Sequence, residues 1–211
     1  MSAAEPTVYL VDDDASVCRS LARLFKAAGY RAQTFRSPDE FLRSYRDEGP
    51  GCLVLDMQLP GMSGLEVQRT LAAGQQSLPV IFITGYGTVP ATVRAMKGGA
   101  VDFLSKPFLD TDLLKAVDEA IERSRQRYAL RLELDALREQ LDTLTHREHQ
   151  VLEGVVEGKL NKQIAVELGA SEKTIKVHRG RVMEKMRAGS VAELVRAIER
   201  LRRHPIGAKP Q

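Results

Sequence analysis

Three short and nearly continuous apolar runs in the first 125 residues constrain the fold more than any other feature of this sequence. The runs are VYLV, CLVL and VIFI, and two less apolar runs with β-forming residues accompany them. Strands that are covered by helices on both faces have this composition. The sequence therefore predicts five strands, at residues 7–11, 31–35, 52–55, 79–83 and 101–104.

Segments with helical spacing separate these strands, near residues 15–28, 38–47, 63–73 and 88–97, and another begins at residue 111. Each connection is long enough to contain a helix, so we expect parallel strands with right-handed crossovers. This alternation predicts a doubly wound α/β domain. In such a domain, ligands bind beyond the carboxyl ends of the strands.

A long helix is predicted after the fifth strand, because no glycine or proline occurs between Pro107 and Gly154. Apolar positions in its first part, among them Val117 and Ile121, are expected to pack on the α/β domain. Five later leucines follow a spacing that resembles two heptads of a coiled coil: Leu130, Leu134, Leu137, Leu141 and Leu144. They are expected to pack either on a partner helix or on the chain's own C-terminal domain.

The last third of the chain is predicted to be helical, and it is basic. Residues 145–211 hold 14 Lys and Arg against 8 Asp and Glu, although the whole chain has a net charge of only +3. Residues that can cap helices precede four segments: Thr145, Asn161, Ser171 and Ser190. A basic all-helical segment of this kind can neutralise phosphate groups.

Charged and polar side chains follow the predicted strands of the α/β domain. An acidic triplet at residues 12–14 comes after the first strand, and Asp56 comes after the third. Thr84 lies after the fourth strand, and Lys106 follows the fifth. The carboxyl ends of parallel strands share one edge of the sheet, so we expect these groups to converge.

Carboxylates that are brought together repel one another and need a cation. Oxygen-rich sites of this kind favour hard ions such as Mg²⁺. The metal would hold a phosphoryl donor against a carboxylate nucleophile, and aspartate is a known covalent acceptor of phosphate. A single Asp at a strand end is more often a turn cap, so the prediction depends on the joint arrangement.

Residues 7–123 resemble the receiver domain of two-component response regulators. Four segments in the expected places carry the resemblance: VDDD, LDMQLPGMSG, ITGYG and VDFLSKPF. The resemblance implies a five-stranded parallel sheet in the flavodoxin-like order 2-1-3-4-5. It also implies that Asp56 is the phosphoacceptor.

The same resemblance implies roles for the neighbours of Asp56. Asp13 would bind Mg²⁺ directly and Asp12 would bind it through water, with the backbone carbonyl of Gln58 completing the metal site. Thr84 would hydrogen-bond the phosphoryl oxygens, and Lys106 would pair with them through its charged amine. Receivers usually hold the bond between this lysine and the following proline in the cis form.

Two further positions would tune the response. Phe103 occupies the switch position, where the ring turns inward when Thr84 moves toward the phosphate; an ordinary core or interface ring is the alternative. Gln58 and Tyr86 occupy positions that in receivers tune the lifetime of the aspartyl phosphate.

The segment from Leu144 to Met186 resembles the LuxR/NarL-type helix-turn-helix along its whole length. The resemblance implies an all-α four-helix domain. Residues 161–168 would form the scaffold helix, and residues 171–186 would form the recognition helix, which enters the major groove of DNA.

Helical spacing divides the recognition helix into two faces. The predicted core side carries Ile175, Val182 and Met186, and the opposite face carries Lys173, Lys176, Val177 and Gly180. By the resemblance, Lys176 and Val177 meet base edges. The residues predicted to contact phosphates or to support the contacts are Lys173, Thr174, Arg179 and Arg181.

Gly180 is unusual because a glycine inside a helix costs roughly 1 kcal/mol relative to alanine. Two interpretations are open. The glycine permits close approach to the duplex, or it is a tolerated gap in the helix.

Together the resemblances indicate a phosphorylation-controlled transcription regulator of the FixJ type, which catalyses only its own phosphorylation and dephosphorylation. The expected partners are a sensor histidine kinase, double-stranded promoter DNA, a second copy of the chain after phosphorylation, and RNA polymerase. The predicted organisation is a receiver domain at residues 1–123, a helical linker at 124–143, a helix-turn-helix domain at 144–204 and a flexible tail at 205–211.

A cytoplasmic location is expected. No signal peptide is apparent, and no apolar stretch approaches the ~20 residues that cross a bilayer. Cys18 and Cys52 have no metal-ligand spacing, and two buried thiols in a reducing compartment are predicted.

Two other functions are weighed against this one. A haloacid-dehalogenase-like phosphohydrolase also uses an Asp nucleophile and Mg²⁺, but it needs a second Asp where this chain has Gln58. A phosphorelay protein with an RNA-binding tail is the other alternative, and the helix-turn-helix resemblance argues against it.

Overall fold

The computed structural model describes residues 5–74, 78–85 and 88–204. It contains two compact units, residues 1–129 and 130–211, and each has its own hydrophobic core. Tyr86 and the tail at 205–211, for which a tuning role and flexibility were predicted, lie outside the described residues.

The first unit is built on a parallel sheet of five strands in the order β2-β1-β3-β4-β5, so the predicted fold and strand order are confirmed. The strands are β1 (Thr7–Val11), β2 (Arg31–Phe35), β3 (Gly51–Asp56), β4 (Val80–Thr84) and β5 (Asp102–Ser105). The first two have the predicted bounds. The others reach one residue further at the carboxyl end, because Asp56, Thr84 and Ser105 take part in the strand pairing.

Helices cover both faces of the sheet. Four of them are α1 (Ala15–Ala27), α2 (Pro38–Ser44), α3 (Gly64–Ala73) and α4 (Val89–Lys97), and α5 (Asp110–Asp142) begins in this unit. Along β3, Cys52 and Val54 join the core with α1 and α5, whereas Leu53 and Leu55 join the core with α2, α3 and α4. All six residues of β3 are buried, as its apolar composition predicts.

The first part of α5 packs on the sheet, as predicted. Val117 and Ile121 are buried in the core that α5 shares with α1. Further along, the Ser124 hydroxyl oxygen accepts a hydrogen bond of 3.0 Å from the backbone N–H of Gly51, at the start of β3. The packing of α5 in this unit therefore continues beyond Ile121.

The second unit contains the end of α5 and four further helices around one core. They are α6 (His146–Val156), α7 (Asn161–Glu167), α8 (Glu172–Lys185) and α9 (Val191–Arg203). Leu144 is buried in this core, and Leu141 packs against it. Of the two interpretations of the leucine spacing, packing on the chain's own C-terminal domain is therefore observed at these two positions.

Side-chain caps begin the helices of the second unit, with one correction to the prediction. Thr145 and Glu148 form the predicted capping box of α6. Asn161 was expected to cap α7, but it is the first residue within that helix, and Leu160 takes the cap position. The Leu160 N–H instead donates to Gln163 Oε1 at 2.8 Å, so the glutamine satisfies the first free donor of the helix.

Among the described residues, none of the helices combines the length and the apolar composition that a membrane span requires.

Candidate functional site

Three carboxylates meet at the carboxyl edge of the sheet. Asp12 and Asp13 follow β1, and Asp56 is the last residue of β3. Their ligand oxygens lie within 4.8 Å of one another. Asp12 is fully buried and Asp56 is 7 % exposed, whereas Asp13 is exposed to solvent. The predicted convergence of these three residues is therefore observed.

Lys106 bridges the two buried carboxylates. Its Nζ lies 2.7 Å from Asp12 Oδ2 and 2.7 Å from Asp56 Oδ2. Burial lowers the pKa of Lys106, but the hydrogen bonds to Asp12 and Asp56 outweigh it, so the net pKa lies above the ordinary value. The amine therefore stays charged and offsets part of the repulsion between the carboxylates.

Backbone groups fix the other oxygens of the two buried carboxylates. Asp12 Oδ1 accepts a hydrogen bond from the Asp14 N–H at 2.8 Å, and Asp56 Oδ1 accepts one from the Gln58 N–H at 3.0 Å. Each carboxylate is thus held by an amine on one oxygen and an amide on the other, which limits its rotation.

Asp14 does not belong to the carboxylate cluster. Its side chain caps α1 and accepts hydrogen bonds from the Ser16 N–H at 2.6 Å and the Ser16 hydroxyl at 2.7 Å. These bonds lower the pKa of Asp14. Asp14 therefore stabilises the start of α1.

The remaining predicted groups lie at the neighbouring strand ends. Thr84 is fully buried at the end of β4, and its carbonyl accepts a hydrogen bond of 2.7 Å from the Lys106 N–H. The Lys106–Pro107 peptide bond is cis, as expected. Phe103 on β5 is half-buried and packs against the core shared with α2, α3 and α4.

Two features of the site were missed at the level of sequence. A Cβ at Gly64 would lie 2.8 Å from the Asp56 carbonyl oxygen and 2.9 Å from the Phe82 ring, so only glycine lets α3 begin this close to β3. The buried Cys18 thiol donates to the Asp12 carbonyl at 3.3 Å. The glycine that follows the helix-capping Ser63 was the sequence signal available for the close approach at Gly64. No sequence pattern indicated the hydrogen bond of Cys18.

A second charged surface lies on α8. Ile175, Val182 and Met186 are buried, which confirms the predicted core side of this helix. The predicted DNA-contacting residues lie outside the core, and all but Arg179 are exposed: Lys173, Thr174, Lys176, Val177, Gly180 and Arg181.

Arg179 and Thr174 make contacts within the domain. The half-buried Arg179 donates from Nη1 to Asn161 Oδ1 at 3.0 Å and so connects α8 to the start of α7. The Thr174 N–H donates to the Ser171 hydroxyl at 3.1 Å, and the two hydroxyl oxygens lie 2.8 Å apart. Both residues therefore hold the helix-turn-helix geometry through these atoms.

At the far end of α8, Lys185 holds the start of α6. Its Nζ lies 2.7 Å from Glu148 Oε2 and 2.9 Å from the Thr143 carbonyl oxygen. The hydrogen bond from Lys185, with that from the Thr145 N–H, lowers the pKa of Glu148 to about 2. Glu148 is 2 % exposed, so its charge is satisfied inside the domain.

An acidic sheet edge in a doubly wound domain, joined to a basic helix-turn-helix domain, defines a class of DNA-binding signalling regulator. Comparison with known families agrees. Residues 8–118 match the response regulator receiver domain, and residues 142–198 match the bacterial regulatory proteins of the luxR family. The chain belongs to the response regulators that combine these two domains, and it is a transcription regulator of that family. Both matches are to regulatory families rather than enzyme families.

Relatives resemble the chain over nearly its whole length. Nodulation protein W of Bradyrhizobium diazoefficiens is 50 % identical over 194 residues, which cover 92 % of this chain and 86 % of that protein. FixJ of Rhizobium meliloti is 43 % identical over 190 residues, 90 % of this chain and 93 % of that protein.

Solved structures of response regulators also resemble this chain over most of its length. The response regulator StyR has a TM-score of 0.84 and 46 % identity, with 93 % of this chain and 99 % of that chain covered. Full-length FixJ from B. japonicum has a TM-score of 0.56 and 37 % identity, with 96 % of this chain and all of that chain covered.

Proposed function

We propose that Asp56 accepts a phosphoryl group from a partner histidine kinase and that this modification controls the binding of promoter DNA by α8. The observation that carries the proposal is the position of Lys106 Nζ, 2.7 Å from both Asp12 and Asp56. A charged amine that already contacts the acceptor oxygen can also pair with the oxygens of a phosphoryl group there.

Asp56 is the acceptor because of its place in the cluster. One of its oxygens forms the bond to phosphorus while the bond between phosphorus and the donor breaks, and the chain gains negative charge. Lys106 offsets that charge, and the hydroxyl of Thr84 donates a hydrogen bond to a phosphoryl oxygen. Phe103, half-buried on the adjacent strand, would follow the movement of Thr84.

The donor set of the cluster fits a hard divalent cation, because all its side-chain ligands are carboxylate oxygens that lie within 4.8 Å of one another. Asp12, Asp13 and Asp56 would hold Mg²⁺, with the backbone carbonyl of Gln58. The bound ion would supply positive charge that offsets the negative charge on the phosphoryl oxygens during transfer.

For DNA binding, we propose that α8 enters the major groove. Lys176 and Val177 would contact base edges, and Lys173, Thr174, Arg179 and Arg181 would contact phosphates or support these contacts. Arg179 has donors beyond the one that it gives to Asn161, so its two roles are compatible.

We also propose that the chain is divided into a receiver at 1–123, a linker at 124–143 and a DNA-binding domain at 144–204. RNA polymerase is proposed as a further partner.

We propose in addition that the protein forms a dimer after phosphorylation. Three exposed apolar residues support an interface on α4: Val89, Val93 and Met96. Their helical spacing puts them on one face. Size measurement with a beryllofluoride mimic should give a dimer for the wild type and a monomer for Val93→Lys.

The acceptor is tested by labelling with radioactive acetyl phosphate in the presence of Mg²⁺. Asp56→Asn should abolish labelling, because the amide cannot form the acyl phosphate. Asp14→Asn is the matched control, since asparagine also caps helices and Asp14 lies outside the cluster. Labelling of Asp56→Asn at the level of the control would place the acceptor elsewhere.

A further inference from the structure

Gly180 lies in the interior of α8, which runs from Glu172 to Lys185. Glycine is among the least favourable residues inside a helix. The backbone gives no reason for it, because Gly180 is not among the residues with positive φ. An ordinary residue would fit the same helical conformation.

Packing inside the domain gives no reason either. A Cβ at Gly180 would meet nothing within 4 Å. The other four glycines of the C-terminal domain differ: a Cβ at Gly154 would lie 2.8 Å from Ile164 Cγ1 and one at Gly189 would lie 3.2 Å from Glu193 Oε2, while Gly158 and Gly169 have positive φ. Neither the backbone conformation nor a contact inside the domain therefore requires a glycine at position 180.

The surroundings of Gly180 indicate what approaches it. Val177, one turn earlier on the same face, is 49 % exposed. Lys173 and Lys176 lie on that face as well and are exposed, and neither side chain forms a hydrogen bond or ion pair with another described residue. The face thus consists of an uncharged strip, Val177 and Gly180, beside two available cations.

We propose that Gly180 is the point at which α8 comes closest to duplex DNA, and that it faces a base edge in the major groove. This inference rests on the proposed DNA-binding function and refines it. Without a Cβ at this position, the helix backbone lies one side-chain layer nearer to the bases. Val177 can then reach an apolar group such as a thymine methyl, while the two lysines remain available for phosphates or bases.

The test compares Gly180→Ala with the wild type in the full-length protein, phosphorylated by acetyl phosphate. The probes are duplexes selected by the wild type from a random-sequence library, and scrambled versions of them. Val166→Ala is the matched control, because Val166 is 78 % exposed on α7, outside the proposed contact set, and alanine also favours the helix there.

Both variants should raise the unfolding temperature of the C-terminal domain, by about 4 °C for Gly180→Ala. Gly180→Ala should nevertheless bind the selected duplexes about tenfold more weakly, with little change on the scrambled ones, and Val166→Ala should bind both as the wild type does.

Three results would be adverse. Unchanged or tighter binding of the selected duplexes by Gly180→Ala would overturn the inference and make the glycine a tolerated gap. An equal loss on both kinds of duplex would overturn the base-edge placement. If the wild type selects no duplex and binds none, the proposed DNA-binding function itself fails.

Discussion

The acidic edge of the sheet and the basic face of α8 are both charged surfaces, but they are built in opposite ways. At the acidic edge, residues as far apart as Asp12 and Lys106 meet through the strand order and hold one another by ion pairs of 2.7 Å. On α8, Lys173, Lys176 and Arg181 come from about three helical turns and lie exposed. Loss of a charge at the first surface should therefore alter the stability of the fold, whereas loss of an exposed lysine charge at the second should alter binding with little effect on stability.

The largest expected effect is at Lys106. Lys106→Met removes the amine from two buried carboxylates and should lower the free energy of unfolding of the receiver by about 3 kcal/mol. Urea unfolding in EDTA measures the loss. Added MgCl₂ at millimolar concentration should reduce it, because the cation supplies the missing charge.

Lys115→Met is the control for this change, since Lys115 is exposed on α5. If Lys106→Met is as stable as the control in EDTA, the ion pairs contribute nothing and the contrast between the two surfaces disappears.

The next effect concerns α8. Lys176→Ala should weaken binding to a cognate duplex by about 1–3 kcal/mol. Binding to unrelated DNA sequences and the unfolding temperature of the domain should change little. Fluorescence anisotropy with cognate and scrambled duplexes measures the difference. An equal loss on every sequence would make Lys176 a phosphate contact rather than a reader of bases.

A pH dependence sharpens the comparison, because the C-terminal domain also contains a buried, paired carboxylate. Glu148 has a pKa of about 2 in the fold against 4.5 ordinarily. A lowered pKa stabilises the folded state above the ordinary value, and this contribution is lost as pH falls from about 4.5 to about 2. The stability gap between the wild type and Glu148→Gln should therefore close over that range. A gap that persists at the lowest pH would mean that the charge of Glu148 is not what stabilises the fold.

The same contrast explains what the sequence could predict. The fold followed from the apolar runs and their spacing, and the bounds of β1 and β2 agreed with the structure. The ends of β3, β4 and β5 did not, because Asp56, Thr84 and Ser105 are polar and the apolar pattern stops before them. Their pairing depends on neighbouring strands, which local sequence does not specify.

For the acidic site, the sequence predicted which residues meet at the edge of the sheet, but it did not predict the individual contacts between them. The meeting of Asp12, Asp13 and Asp56 followed from strand order, whereas the bridge by Lys106 depends on distances that only the folded chain defines. The prediction that Asn161 caps α7 was wrong, because the Gln163 side chain instead accepts the hydrogen bond from the Leu160 N–H at the start of the helix. On α8, helical periodicity alone separated the core side from the exposed side, since the surface comes from one element.

The central claim is that modification of Asp56 controls α8. The most direct measurement is the affinity of the full-length protein for a selected duplex, before and after treatment with acetyl phosphate and Mg²⁺, for the wild type and for Asp56→Asn. The wild type should gain about tenfold in affinity, and Asp56→Asn should gain nothing. An equal gain in both proteins, or no gain in a wild type that is fully labelled, would contradict the account.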